Sequence, residues 1–245
     1  MDSMARYLLI SATSSIGTEV AKRLHQKGHE LFLTSRSEEK IAPLLELTHA
    51  PYAIIDPANF DGVLKVAQEA KAKMGGLDGA VNFSGSLLLK GAHSTTLEEY
   101  QKTIEASLTS AFALVRAACT VMDQGGSIVL LSSAASLEGL PFHEAIAAAK
   151  GGINALTLSS AATYAAKKIR VNAVAPGLTR TSMTEHLFKN SESLHISEKM
   201  HPIGRLGEPK DIAAAVEFFL DPQNDWVTGQ ILAIDGGLSR IKKGG

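Results

Sequence analysis

The sequence predicts one doubly wound α/β domain, in which a parallel sheet carries helices on both faces. Short apolar segments alternate with longer helical segments along the whole chain, which is the order that crossover helices between parallel strands produce. The apolar segments are continuous rather than alternating, as expected for strands buried on both faces. The 245 residues contain no internal repeat and no linker rich in Pro, Gly or Ser. We therefore assign residues 1–245 to a single domain.

Each predicted element follows from its local pattern. Strands are expected at the apolar runs 7–10, 31–33, 52–55, 78–81, 127–131, 170–174 and 231–234. Helices are expected where apolar side chains recur at helical spacing, at 15–27, 38–47, 59–73, 97–122, 143–166 and 211–220. Residues 179–209 follow neither pattern. Because ligands bind outside the carboxyl ends of strands in open α/β sheets, we predict that residues 179–209 form a substrate lid.

Charge balance and cysteine count argue against several classes of protein. The chain has 24 Lys and Arg against 25 Asp and Glu, so it lacks the cationic excess that nucleic-acid binding needs. Cys119 is the only cysteine, which favours a reducing compartment, the cytoplasm. We expect neither a signal peptide nor a membrane span. His93, His186, His195 and His201 lack the spacing of metal ligands, so no metal site is expected.

Six segments resemble the short-chain dehydrogenases/reductases, in the order in which that family carries them. They are LISATSSIG at 9–17, VNFSG at 81–85, SS at 132–133 followed by Lys150, IRVNAVAPG at 169–177, HPIGRLGEP at 201–209 and IDGG at 234–237. The resemblance covers nearly the whole chain and implies a Rossmann-type fold. It also implies an oxidoreductase that acts on a small-molecule substrate with a nicotinamide dinucleotide.

The resemblance places the dinucleotide across the carboxyl edge of the sheet, with its pyrophosphate at the start of the first helix, where N–H groups and the helix dipole favour anions. By position, it assigns cofactor contacts to Ser11, Ser14, Ser15, Ile16, Arg36, Asp56, Asn82, Ser84, Lys150, Pro176, Gly177, Thr179 and Thr181.

The end of the second strand favours one dinucleotide over the other. Members that select NAD carry an acid there, which bonds the ribose 2′-hydroxyl. This chain has Ser35 and Arg36 instead, which suit a 2′-phosphate. We therefore expect NADP(H) rather than NAD(H). The alternative is that Arg36 is a solvated loop cation.

Two of the four positions that handle protons in the family differ here. Ser133 and Lys150 match, and the resemblance makes them the candidate catalytic residues. The family's Tyr, four residues before the Lys, is replaced by Ile146, and its Asn is replaced by Ser107. His143, about one turn before Ile146, is a weak candidate for a substitute acid.

The first turn also departs from the family pattern. Ser11 and Ser15 replace glycines that permit the tight turn and the close approach of backbone to phosphate, whereas Gly17 is retained. A serine hydroxyl can still donate to a phosphate, so two outcomes stay open: a dinucleotide binds, or none does.

Two functions remain. One is NADP(H)-dependent carbonyl reduction or alcohol oxidation with an atypical site. The other is an inactive descendant that serves as a cofactor-binding or partner subunit. A non-redox enzyme has no positive indication. Residues 97–122 and the helix ending near 166 resemble the helices through which family members dimerise, which predicts a homo-oligomer, either a dimer or a tetramer.

Overall fold

A computed structural model describes residues 4–188 and 190–242, and its centre is a seven-stranded parallel sheet. The strands are β1 Arg6–Ile10, β2 Glu30–Ser35, β3 Tyr52–Ile54, β4 Gly79–Asn82, β5 Gly126–Leu131, β6 Ile169–Pro176 and β7 Ile231–Ile234. Their order across the sheet is β3-β2-β1-β4-β5-β6-β7, and every neighbouring pair is parallel. The order reverses between β1 and β4, which opens a crevice at their carboxyl ends.

Eight α-helices cover the sheet within the described residues. They are α1 Ser15–Gln26, α2 Glu38–Thr48, α3 Phe60–Met74, α4 Leu97–Ile104, α5 Ser110–Val121, α6 Glu144–Tyr164, α7 Ser191–Met200 and α8 Pro209–Leu220. One buried apolar cluster joins α3, α5 and α6 to one face of the sheet. A second joins α1, α2 and α8 to the other face. The predicted doubly wound α/β fold is confirmed.

The long helix predicted at 97–122 is interrupted. Residues Glu105–Thr109 form a π-helical turn between α4 and α5, which the unbroken apolar pattern does not reveal. The combined run Leu97–Val121 is long and apolar enough to cross a membrane by length and composition, contrary to the sequence expectation, but more than half of its apolar window is buried. Such burial is typical of a core helix in a globular domain.

The expectation that 179–209 is irregular is wrong for part of the segment. Residues Ser191–Met200 form helix α7, whose first turn is capped by the side chain of Asn190, which accepts from the Ser193 N–H at 2.7 Å. The segment is tied to the rest of the domain by a parallel bridge between Thr179 and Gly207. Its apolar side chains form one wall of the cavity described next.

Candidate active site

A cavity of about 560 Å³ opens at the carboxyl edge of the sheet, where the strand order reverses. Ten of the residues predicted from sequence line it: Ser14, Ser15, Ile16, Ser84, Ser133, Lys150, Pro176, Gly177, Thr179 and Thr181. Ser11, Arg36, Asp56 and Asn82 do not line it. Another cavity, of about 690 Å³, lies at the opposite edge of the sheet beside Arg170 and contains none of the predicted residues.

The turn between β1 and α1 keeps a glycine-like backbone although Ser11 replaces the glycine. Ser11 has a φ of 58°, a left-handed conformation that costs a non-glycine residue roughly 1 kcal/mol. Its N–H donates to the Thr34 hydroxyl at 3.0 Å, which helps to hold the turn. Gly17 is required for packing, because a Cβ there would lie 2.8 Å from the carbonyl oxygen of Ala12.

The first turn of α1 faces the cavity. Ser14 caps the helix, its hydroxyl accepting from the Gly17 N–H at 3.0 Å. The hydroxyl of Ser15 accepts from the Ser182 N–H at 3.2 Å, which links α1 to the lid. No acidic side chain lies in this first turn, so the helix dipole and the N–H groups of Ser15 and Ile16 are available to an anion.

Arg36 and Asp56 lie outside the cavity on neighbouring loops and are both exposed. Arg36 forms no ion pair with any residue that the structure describes. Asp56 uses one carboxylate oxygen to accept from the Ala58 N–H at 3.0 Å. Ser35 is buried, and its hydroxyl lies 3.2 Å from that of Thr13. Arg36 is thus a free cation beside the start of α1.

Asn82 has a structural position at the end of β4. Its side chain is buried, donates to the Ser110 hydroxyl at 3.0 Å and accepts from the Ser84 N–H at 2.9 Å. These bonds occupy the amide and shape the Ser84–Gly85 turn, which does line the cavity. The contact predicted for the Asn82 side chain itself remains a prediction.

Lys150 projects from α6 into a buried position in the cavity wall. Only 7% of the residue is exposed, and its Nζ donates to the carbonyl oxygen of Leu131 at 2.7 Å. A Cβ built on Gly85 would lie 3.4 Å from that Nζ, so the missing side chain leaves room for the ammonium group. Burial lowers the pKa of Lys150 to about 8.

The two positions that differ from the pattern expected by resemblance, Ile146 and Ser107, are both buried. Ile146 is buried in the cavity wall one turn before Lys150, and its side chain carries no hydroxyl. Ser107 is fully buried in the π-helical turn, and its hydroxyl has no hydrogen-bond partner among the described residues. Local π-helical turns occur frequently at functional sites.

Ser133 reaches the cavity from the end of β5, in a loop that other side chains fix. Its hydroxyl accepts from the Ala135 N–H at 3.2 Å. Next to it, Ser132 donates to Asn154 at 2.6 Å, and Asn154 donates to Ser136 at 3.0 Å. The sequence analysis missed Asn154, although its place four residues after Lys150, one turn along the same helix, could have indicated it.

Residues after β6 form the wall opposite α6. Gly177 packs against Asp235, because a Cβ there would lie 2.8 Å from the Asp235 Cα. The Thr179 hydroxyl donates to the Gly177 carbonyl at 3.1 Å, and the hydroxyls of Thr181 and Thr184 lie 3.0 Å apart. These hydrogen bonds cross-link residues at the start of segment 179–209.

His201 connects the lid to this wall, a role that sequence reasoning missed. It is buried, its Nε2 accepts from the Leu178 N–H at 3.2 Å, and its Nδ1 lies 2.7 Å from the Ser197 carbonyl. The two bonds together require a neutral ring with the proton on Nδ1. No spacing rule indicates this contact.

His143 lines the cavity at the start of α6, with Nδ1 2.7 Å from the carbonyl oxygen of Pro141. That bond requires a proton on Nδ1. Among the residues described, no group of three or more His, Cys, Asp or Glu side chains is placed to hold a metal ion.

Known proteins are similar to this chain over nearly its whole length. A family model described as enoyl-(acyl carrier protein) reductase matches residues 10–239. The mouse 3-oxoacyl-[acyl-carrier-protein] reductase is 35% identical over 237 residues, 94% of this chain and 96% of the relative. A tropinone reductase homolog from Arabidopsis thaliana is 31% identical over 240 residues, 95% of this chain and 91% of the relative.

Solved structures show the same fold. A short-chain dehydrogenase/reductase from Mycobacterium ulcerans superimposes with a TM-score of 0.92 at 26% identity, covering 98% of this chain and 91% of the other. ElxO with NADP bound gives a TM-score of 0.90 at 27% identity, covering 96% and 99%. A tyrosine-to-phenylalanine variant of ElxO with NADPH bound gives the same values. The chain thus belongs to the short-chain dehydrogenase/reductase family of oxidoreductases.

Proposed function

We propose that the protein binds NADP(H) and reduces carbonyl groups, or oxidises alcohols, slowly because its site lacks an acid. One observation carries the proposal: Lys150, Ser133 and the first turn of α1 line a single cavity, while the position one turn before Lys150 is occupied by the buried, apolar Ile146. The binding groups are therefore present and the expected proton donor is not.

The cavity fits a nicotinamide dinucleotide. The N-terminus of α1 offers the N–H groups of Ser15 and Ile16, which have no described acceptor, to a pyrophosphate. Gly85 and Gly177 leave space where a Cβ would approach Lys150 and Asp235, respectively. When bound, the dinucleotide supplies or accepts a hydride. A structural neighbour of 27% identity, an ElxO variant, has NADPH bound, which supports binding of this dinucleotide by the fold.

Arg36 favours the 2′-phosphate. The guanidinium is exposed beside the β1–α1 turn, no described carboxylate pairs with it, and Ser35 stands where an acid would select NAD. A guanidinium binds a phosphate through charge-assisted hydrogen bonds, which are about twice as strong as neutral ones. The ElxO structure with NADP bound gives further support for this choice.

Within this proposal, Ser133 orients the substrate oxygen with its hydroxyl, and Lys150 binds the cofactor ribose and keeps a positive charge near the reacting centre. The proton must come from a water molecule or from His143, whose ring lies at the rim of the cavity. A positioned general acid contributes about 100- to 10,000-fold to such a step, so we expect turnover to be slower by a factor in this range.

The second candidate is an inactive subunit that binds the cofactor within an oligomer. Ile146 and Ser107 favour it, since neither position retains its polar function. Helices α4, α5 and α6 expose apolar side chains at Tyr100, Phe112 and Leu158, which suits a homo-oligomer of two or four subunits. The lone Cys119 is buried, and a chain with one cysteine suits a reducing compartment, so we propose that the protein acts in the cytoplasm.

Titration with NADPH and NADH, followed by nicotinamide fluorescence, tests the proposal. We expect saturable binding of NADPH and binding of NADH weaker by about tenfold or more. Steady NADPH consumption with a panel of ketones then separates the two candidates. Absence of saturable binding of either dinucleotide would overturn both, and measurable slow turnover would favour the first.

A further inference from the structure

Lys150 is an unusual lysine because it is buried in an apolar cavity without a counter-ion. None of the described residues that line the cavity is an Asp or a Glu, and Lys150 is the only lysine or arginine among them. Burial is the only cause of its lowered pKa, about 8. An ammonium group has three donors, and one described acceptor, the Leu131 carbonyl, satisfies one of them.

The surroundings of Lys150 leave its nitrogen approachable from the cavity. Gly85 has no side chain to cover it, since a Cβ there would stand 3.4 Å from Nζ. Ile146, one turn earlier on α6, offers no group that could hydrogen-bond to the amine. A neutral amine can keep its N–H bond to Leu131 while its lone pair remains free to react.

The lining of the cavity also determines which kind of molecule can reach the Lys150 amine. Its walls include apolar side chains from two segments before α6 and from the lid, namely Leu87, Leu89, Leu140, Met183, Leu187, Ile196 and Met200. An uncharged, apolar molecule gains from burial there. A carboxylate would lose its hydration, and apart from Lys150 it would find no described cationic partner.

We propose that, when no dinucleotide covers it, Lys150 condenses reversibly with apolar aldehydes in this cavity to form an imine. The nitrogen attacks the carbonyl carbon to give a carbinolamine. The carbonyl oxygen then leaves as water with the two hydrogens that the amine loses, and a C=N bond forms. No oxidant or reductant is needed. Lysines desolvated in apolar pockets are known to become nucleophiles in this way.

The neutral fraction of the amine sets the expected selectivity. With a pKa of about 8, roughly one Lys150 in ten is neutral at pH 7, against fewer than about one in a thousand exposed lysines. Even if part of this advantage is lost through restricted access, we expect Lys150 to react at least about tenfold more than the average lysine of the chain.

Reductive trapping tests the proposal directly. The cofactor-free protein is incubated with octanal and sodium cyanoborohydride, digested, and mapped by mass spectrometry. We expect the alkylated lysine to be Lys150, with at least about tenfold enrichment that is lost when the protein is unfolded in urea. Equal labelling of all the lysines, or labelling of other lysines but not of Lys150, would overturn the proposal.

Two variants and two ligands sharpen the result. Lys150→Arg keeps the charge but forms no reducible imine, so the label should vanish, whereas Lys65→Arg, at an exposed position of α3, should leave it unchanged. Excess octanol should reduce labelling of Lys150 alone, which serves as the test if Lys150→Arg fails to fold. Glyoxylate, a charged aldehyde, should not label Lys150, and equal labelling by glyoxylate would overturn the assignment to apolar aldehydes.

Addition of NADPH separates this inference from the proposed function, on which it does not depend. If the dinucleotide binds as proposed, it should protect Lys150 from octanal. Labelling of Lys150 that NADPH leaves unchanged would support the imine and contradict the placement of the cofactor.

Discussion

The β1–α1 turn and helix α6 each carry a residue that differs from the pattern expected by resemblance, and we expect opposite consequences. In the turn, Ser11 adopts the left-handed backbone of the glycine it replaces, and Ser14 caps the helix. On α6, the buried Ile146 lies where the resemblance predicts a Tyr, and its side chain has no atom that could exchange a proton. Backbone geometry can survive a substitution at a small energetic cost, whereas an acid cannot be replaced by packing. We therefore expect this protein to retain dinucleotide binding although its catalysis of hydride transfer is impaired.

The largest expected effect comes from restoring a phenol on α6. Ile146→Tyr places a hydroxyl in the cavity wall one turn before Lys150, where the nearby positive charge would lower the pKa of the phenol. We expect kcat for NADPH-dependent reduction of acetophenone to rise by about 100- to 10,000-fold.

Ile146→Phe is the matched control, since it adds the ring without the hydroxyl. A gain shared by Phe and Tyr would mean that shape, not the acid, limits the wild-type protein. If Tyr brings no gain while NADPH still binds, the missing phenol is not what limits the wild-type protein.

Lys150 provides a test in which binding and stability move in opposite directions. Because burial lowers its pKa from 10.5 to about 8, the folded protein buries an unpaired charge below pH 8. Lys150→Met removes that penalty, and we expect unfolding of the cofactor-free protein in urea at pH 7 to cost roughly 1–3 kcal/mol more. NADPH affinity should fall by about tenfold or more.

The lowered pKa of Lys150 also predicts how the free energy of unfolding changes with pH. Between about pH 8 and pH 10.5 the unfolded chain binds a proton that the folded chain has lost, so wild-type stability rises with pH across this window relative to Lys150→Met. The difference between the two proteins should therefore shrink as pH rises. Lys65→Met, at an exposed site, should change stability by less than about 0.5 kcal/mol at any of these pH values.

Substitution of Arg36 tests whether this residue sets the preference for NADPH over NADH. Arg36→Glu should lower the preference for NADPH over NADH by roughly 10- to 100-fold, because a charge-assisted contact to the 2′-phosphate is replaced by repulsion. Competition titrations measure the ratio. Lys65→Glu makes the same charge change on α3 and should leave the ratio unchanged. An unaltered ratio in Arg36→Glu would identify Arg36 as a solvated loop cation.

The smallest effect is expected at Ser11. Ser11→Gly relieves the left-handed backbone but adds freedom to the unfolded chain, so we expect a net gain of no more than about 1 kcal/mol in urea unfolding. Ser133→Gly is the matched substitution at an extended residue, with φ of −162°, and should lose about 0.5–1 kcal/mol. If both substitutions lower the free energy of unfolding, the left-handed backbone of Ser11 is not strained.

The sequence predicted the structure correctly where a residue pattern is compatible with only one local structure. Continuous apolar runs such as that around Leu33 predicted the buried parallel strands, and Gly17 predicted the close packing of α1. Helix α7 was missed because its residues carry no clear helical period. The π-helical turn at Ser107 was missed because the hydrogen-bond shift it involves leaves the apolar pattern unbroken.

Long-range side-chain contacts could not be read from the chain at all. The bonds of His201 to Leu178 and Ser197 join residues whose proximity depends on how the lid folds back. The burial of Lys150 without a carboxylate likewise depends on which side chains surround it in space. These are the features on which the chemistry of the site depends.

The central claim is that the protein still binds NADPH but transfers its hydride slowly. Rapid mixing of the protein with NADPH and acetophenone tests this claim most directly. Nicotinamide fluorescence reports binding as a change in intensity on mixing and hydride transfer as its later decay. The account predicts an immediate saturable change followed by decay about 100-fold or more slower than in Ile146→Tyr. No initial change, or decay as fast as that of Ile146→Tyr, would contradict it.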